Sequence, residues 1–507
     1  MRQYPVIIQG GMGAGVSNWK LANTVSRMGQ LGVVSGTALD VILARRLADG
    51  DPGGHMRRAL DAFPFPAIAE RIWDKYWSPT GKATTASYPA VPTQTLEGPQ
   101  ESIELCMVSN FVEVFLAREG HDNPVGINYL EKIQLPHLPS IYGAMLAGVR
   151  YVLMGAGIPL KIPGVLDRFA EHQSAEYPAH VHGALEQNNT FLHFDPRDYM
   201  DRDLPPLVRP DFLAIISSYT LGATLLKKAN GKVNGLIIET KIAGGHNAPP
   251  RGKLQLSEAG EPIYGERDTI DIKKIQELGV PFWLAGGYGH PEMVRQALAE
   301  GATGVQVGTA FAFSEESGLR ADYKQALLAK VLAGDAKVFT DPLASPTGFP
   351  FKVAQLEGTC SEATMYKARP RICDLGFLRE AYRKEDGTIG YRCASEPVSV
   401  YLSKGGQVED TVGRKCVCNA LIANIGQPQV RKERHTEHGL VTAGDDLSNI
   451  GFYLSPGRSS YSATEVVTSL LSLVHGDQPV RDGEAAREGE GPAPWAEELC
   501  FHGAILA

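Results

Sequence analysis

The amino-acid sequence predicts an α/β protein built on a closed (β/α)8 TIM barrel, and three features lead there. Short β-branched runs alternate with helical patterns eight times before the pattern changes. The runs are near-continuously apolar, as strands covered on both faces must be. Most of them end in glycine, where a backbone turns tightly or lies close to a ligand.

In chain order the predicted strands are Pro5–Gln9, Leu31–Ser35, Pro124–Asn128, Arg150–Met154, Asp211–Ser217, Val233–Glu239, Val280–Ala285 and Thr303–Val307. Helices with one apolar face are expected between several of them, at Trp19–Met28, Leu39–Ala48, Pro139–Gly148 and Pro291–Glu300. A helix at Tyr323–Leu332 would close the barrel, which is assigned residues 1–334. Two connections, 51–105 and 167–210, are longer than barrel loops usually are and read as lids or binding loops. Beyond the barrel come a turn-rich, cysteine-bearing C-terminal extension over 335–475, a Gly/Glu/Pro-rich linker over 476–498 and a tail over 499–507.

Composition narrows the class. Of 507 residues, 43% are apolar and 21% charged, the balance of a globular protein. The net charge of −8 is spread along the chain, which argues against nucleic acid or an anionic membrane as partner. The N-terminus shows no signal peptide, and no apolar run reaches the ~18 residues of a membrane helix. Seven cysteines without regular spacing argue against a disulfide framework. A cytoplasmic protein, open to homo-oligomer formation, is expected.

The strand ends carry the functional signal. They read Gly10-Gly11-Met12-Gly13-Ala14-Gly15, Gly36-Thr37, Gly155-Ala156-Gly157, Ala243-Gly244-Gly245-His246, Gly286-Gly287-Tyr288-Gly289 and Gly308-Thr309. Any one could be a turn glycine. Six together, meeting at the C-terminal rim, read as backbone amides lying against a flat ring and a phosphate. The phosphate site is expected at the seventh and eighth strand ends, with a helix N-terminus adding its dipole. His246 follows two glycines at a strand end, so its imidazole can project over a bound ring. With an ordinary pKa near ~6.5 it could exchange a proton there; the plainer alternative is a packing histidine. His180 and His182 read better as a solvated hairpin than as metal ligands. Cys373, Cys393, Cys416 and Cys418 are either buried apolar side chains or ligands of zinc or an iron–sulfur cluster. Arg414 and Lys415 would favour the thiolate form, while the tight Cys416-x-Cys418 spacing argues against a metal.

Taken together, Pro5-Val6-Ile7-Ile8-Gln9-Gly10-Gly11-Met12-Gly13, Gly126-Ile127-Asn128, Ala243-Gly244-Gly245-His246, Ala285-Gly286-Gly287 and Gln306-Val307-Gly308-Thr309 resemble the nitronate monooxygenase (2-nitropropane dioxygenase) family. The stretch from Gly126 to Pro163 is closer to the enoyl-ACP reductase branch. His246-Asn247-Ala248-Pro249-Pro250-Arg251-Gly252 is similar to trans-acting enoyl reductases of fatty acid and polyketide synthases. The chain continues well past the point where usual members of the family stop. The resemblance implies an FMN-binding barrel with His246 as catalytic residue. It implies cofactor contacts at Gly11, Met12, Gly13, Asn128, Gly245, Gly286, Gly287, Gln306, Gly308 and Thr309. The implied activity is oxidation of alkyl nitronates with O2. The alternative is an NAD(P)H- and FMN-dependent enoyl-thioester reductase acting on a small-molecule or carrier-protein-bound acyl substrate. A third reading, a non-catalytic barrel holding a phosphorylated ligand, leaves His246 unexplained.

Overall fold

In the computed structural model, which describes residues 4–183, 190–431 and 435–474, eight short strands form one parallel ring. They are β1 (Ile7–Gln9), β2 (Gly32–Ser35), β3 (Val125–Leu130), β4 (Tyr151–Gly155), β5 (Asp211–Ile216), β6 (Gly235–Glu239), β7 (Phe282–Ala285) and β8 (Gly304–Val307). All eight fall on the predicted runs. Neighbours pair in the order β1-β8-β7-β6-β5-β4-β3-β2. The ring closes where Ile8 bridges Leu31 in parallel, with Gln9 N donating to Leu31 O at 2.9 Å and Leu31 N to Ile7 O at 3.0 Å.

Alternation along each strand sorts the side chains into two cores. Ile8, Val33, Leu153, Leu213, Ile237 and Trp283 point inward and fill the barrel. Ile7, Val34, Ile127, Val152, Phe212 and Ile238 point outward, beneath the helices. Trp283 is the largest fully buried side chain of the interior, and its indole Nε1 donates to Pro5 O at 2.9 Å. A strand-seven residue thereby fixes the chain entering β1.

The helices differ from expectation mainly at the first long connection. The segment 51–105 is not an open loop: it holds helices His55–Asp61 and Pro66–Tyr76 and leads into the nineteen-residue helix Gln100–Arg118. The cause is visible in the sequence, where Pro66 opens a helix whose buried residues Ile68, Ala69, Ile72 and Tyr76 share one face, Ile72 lying three or four positions from each of the others. In the second connection, Ala175–Ala179 pairs antiparallel with Thr190–Phe194. Val181–His182 instead joins Glu380–Arg383 in parallel, and His182 stands in solvent beside Glu380.

The described residues form one compact unit, so the region after 334 packs with the barrel. Its hairpin, Val338–Asp341 with Phe351–Ala354, bridges to His246 through Phe351. The expected linker 476–498 and tail 499–507 lie outside the described residues. Among the described residues no helix is long and apolar enough to cross a membrane. Trp283→Ala should cost about 3–5 kcal/mol, the usual loss for a large buried aromatic. Denaturant unfolding should show it as a lowered midpoint.

Candidate active site at the barrel mouth

Each strand sends one inward-facing residue to the C-terminal mouth, two positions beyond an interior core side chain in six strands and beyond Gly126 and Gly304 in β3 and β8. Four of these are polar or acidic: Ser35, Asn128, Glu239 and Gln306. The other strands end in Gly10, Gly155, Ile215 and Ala285, and all eight floor a cavity of about 210 Å³. Each of Gly11, Met12, Gly13, Asn128, Gly245, His246, Gly286, Gly287, Gln306, Gly308 and Thr309 lines this same cavity.

Two glycines show why the rim needs that residue. A Cβ on Gly11 would lie 2.3 Å from Asn128 Cβ, so this close approach excludes any other side chain. The approach lets Asn128 Nδ2 donate to Gly11 O at 3.2 Å. Gly286 has φ +87°, and a Cβ there would meet Thr240 Oγ1 at 2.4 Å and the backbone of Ala243. The helix after β8 is a single turn, Thr309–Ala312, so the expected helix dipole is not built there. Glycine amides and the Thr309 hydroxyl remain at that end.

The C-terminal region roofs the cavity through a strap, Val441 to Asp446. Ala354 N donates to Val441 O at 2.9 Å, Gly245 N to Thr442 Oγ1 at 2.8 Å, and Asp445 N to Ile242 O at 3.0 Å. Gly444 N donates to Thr309 Oγ1 at 3.0 Å, and that hydroxyl donates to Asp446 Oδ1 at 3.0 Å. Buried Lys352 anchors the strap by reaching both Asp445 carboxylate oxygens at 2.7 Å. Phe351, Phe377, Leu378 and Leu421 add an apolar wall.

Enclosure sets the electrostatics. His246 Nε2 is 2.7 Å from Ser345 Oγ, and its ring packs edge-on against Phe351. Desolvation pushes the imidazole pKa down to about 4, so it is neutral at pH 7, unlike the freely titrating histidine expected from sequence. Glu239 has no hydrogen-bond partner among the described residues, and desolvation raises its carboxyl from the usual 4.5 to about 7. Burial also raises the Asp446 carboxyl, while its bond from Thr309 opposes that shift. Lys and Arg are absent from the cavity lining among the described residues. Glu239 and Asp446 were not singled out from sequence. For Glu239 a signal existed, an acid ending the apolar run Leu236-Ile237-Ile238 at the rim; for Asp446 there was none.

The four cysteines do not form the expected metal site. Among the described residues no group of three or more His, Cys, Asp or Glu side chains is placed to hold an ion. Cys418 lines the main cavity, whereas Cys416 faces a separate small pocket with Arg369, Arg371 and Arg414. Residues two apart at a helix start point to opposite sides, which separates them. Cys373 meets Cys393 instead, and this contact raises the Cys373 thiol. Burial raises Cys416 and Cys418 as well, so neutral thiols are favoured. Lys415 is engaged by Asp341, and Arg414 by the carbonyls of Leu343 and Ser345.

Fold and site together define an α/β barrel with an enclosed, glycine-rimmed ligand cavity at its C-terminal mouth. Residues 209–343, running from the start of β5 through β8 and including His246, match the family model described as nitronate monooxygenase. No curated protein matches the chain. Similar solved structures include FabK from Thermotoga maritima, at 15% identity over 93% of this chain and 92% of that one, TM-score 0.46. A nitroalkane oxidase from Streptomyces ansochromogenes is similar at 16% identity over 93% and 96%, TM-score 0.42. The enoyl reductase domain of MlnA, from the macrolactin cluster of Bacillus amyloliquefaciens, is similar at 11% identity over 93% and 96%, TM-score 0.44.

Glu239 yields a stability test in ligand-free protein. Below pH 4.5 the carboxyl is protonated in folded and unfolded chains alike, so Glu239→Gln should match the wild type. As pH rises from 4.5 to about 7 the unfolded chain ionises first, and the wild type loses stability that the variant keeps. Above that window the variant should lead by up to about 3 kcal/mol, read from denaturant midpoints at pH 4 and pH 8.

Proposed function

We propose that this chain is an FMN-dependent oxidoreductase that oxidises alkyl nitronates with O2. The observation that carries the reading is a pair of buried amide oxygens, Asn128 Oδ1 and Gln306 Oε1, left without hydrogen-bond partners at the cavity floor. Buried polar atoms seldom stay unpaired, and a flat heterocycle with an N–H donor on its edge would give such oxygens a partner. In this reading Asn128 and Gln306 would hold the ring edge, Gly11, Met12 and Gly13 would flank it, and Gly286, Gly287, Gly308 and Thr309 would receive the phosphate. FMN would supply the electron-transfer chemistry when bound.

The chain's own residues then have defined tasks. A nitronate arrives as an anion with its α-proton already gone, so it needs a hydrogen-bond donor more than a strong base. Neutral His246, steadied by Ser345 and Phe351, suits that task. The apolar wall of Phe351, Phe377, Leu378 and Leu421 suits an alkyl group and keeps water out.

One observation favours a second reading, NAD(P)H-dependent reduction of an enoyl thioester. That reaction needs a proton for the α-carbon, and the unpartnered Glu239 carboxyl, holding its proton to about pH 7, can donate one. Anaerobic mixing separates the two. Bleaching of the flavin by an alkyl nitronate alone supports the first reading, and bleaching by NADPH or NADH alone supports the second.

Purified protein should be yellow and release FMN, not FAD, on denaturation, since no dinucleotide fingerprint follows a strand. Colourless protein that cannot be reconstituted with FMN would sink both readings. His246→Ala should keep its flavin while turnover drops about 10²–10⁴-fold. Unchanged turnover removes His246 from the chemistry, and joint loss of flavin and activity makes it structural.

A further inference from the structure

The phosphate end of the cavity carries an acid and no base. Gly286, Gly287, Gly308 and Thr309 line that end together with Asp446. Thr309 has one hydroxyl proton, and it is given to Asp446 Oδ1 at 3.0 Å while Gly444 N fills the oxygen's acceptor side. The other carboxyl oxygen, Oδ2, lies 3.8 Å from the position a Cβ would take on Gly289, so it overlooks the same glycine turn. Lys352, a cation whose charge reaches it, is bound to Asp445 instead.

Resting on the reading that this cavity takes a phosphate-bearing flavin, we propose that Asp446 is an acid latch on the phosphate subsite. A phosphomonoester must share Thr309 with the Asp446 carboxyl, so it is accepted beside the neutral acid and repelled by the carboxylate. Binding of the phosphate therefore takes up a proton at Asp446, and affinity falls as pH rises. Like charges sharing one site push the acid's pKa up, which gives the direction.

The groups around Asp446 agree with this assignment. Asp445 on its own element raises its pKa further, and Lys352 from the hairpin only partly opposes that. Tyr453 and Tyr461 are the phenols that sense its charge, and both donate elsewhere, to Gly289 O at 2.8 Å and Ala310 O at 2.7 Å. From the neighbouring helix Ala321–Leu332, Lys330 pairs with Glu357 and Tyr323 stacks with Arg320.

The test compares FMN with riboflavin, which lacks the phosphate, in titrations of flavin-free full-length protein. The ratio of their affinities cancels Glu239, which faces both ligands alike. The preference for FMN over riboflavin should fall at least ~10-fold more between pH 5.5 and 8.5 in wild type than in Asp446→Asn, the size of one unfavourable charge. At pH 8.5 the Asn variant should bind FMN at least ~10-fold more tightly than wild type with riboflavin affinity unchanged. Calorimetry of the wild type at pH 8 in two buffers gives a variant-free arm. FMN binding should take up a proton that riboflavin binding does not.

Parallel pH profiles, weaker or unchanged FMN binding in Asp446→Asn with riboflavin retained, or no extra proton uptake each overturn the latch and leave the flavin reading standing. Failure of wild type to bind either flavin overturns the reading of the cavity, and the latch with it.

Discussion

Val441 to Asp446 crosses the open end of the barrel and is sewn to it on both sides. One edge of this strap bonds to the loop after β6, through Ile242 O and Gly245 N; the other bonds to Thr309 at the end of β8. A barrel mouth without such a cover would leave its polar layer in water. Here Asn128, Glu239, Gln306 and His246 are enclosed, and their chemistry follows from that enclosure. Lys352, buried but paired with Asp445, holds the strap from beneath. Removing its partner would leave a buried charge uncompensated, so the anchor and the enclosure stand together.

The enclosure acts on acids and bases in opposite senses. It lowers the imidazole of His246 and raises the carboxyls of Glu239 and Asp446. All three move toward their neutral forms because moving an isolated charge out of water is costly. With neither Lys nor Arg in the described lining, no protein cation offsets the charge of an anionic ligand. Such a ligand must be held by neutral donors: glycine amides, hydroxyls and protonated acids. This separates the cavity from phosphate sites built on arginine or lysine.

The barrel was legible in the sequence because its signals are local. A strand buried on both faces must be apolar throughout, and a rim that meets a ligand must turn sharply, so runs such as Leu236-Ile237-Ile238 and the glycines after them identify themselves. Helices within the first long connection were legible in principle through the spacing of Ile68, Ile72 and Tyr76, but the Gly/Pro-rich stretches around them obscured it. Of the two alternatives for the cysteines, the metal site fails because nearness in sequence is not nearness of side chains. Cys416 and Cys418 face different pockets, a separation that depends on where one helix begins.

By itself, then, the sequence determined the eight strands, their glycine-rich ends and the position of His246. These depend on alternation and turn geometry, which act over a few residues. The tertiary structure alone decided the states of those groups. That Ser345 meets a histidine 99 positions earlier, and that Asp446 shares a hydroxyl with Thr309 from 137 positions away, has no local signature. Desolvation is a property of everything packed around a group. The pKa values of His246, Glu239 and Asp446 therefore exist only once the C-terminal strap has closed over the barrel.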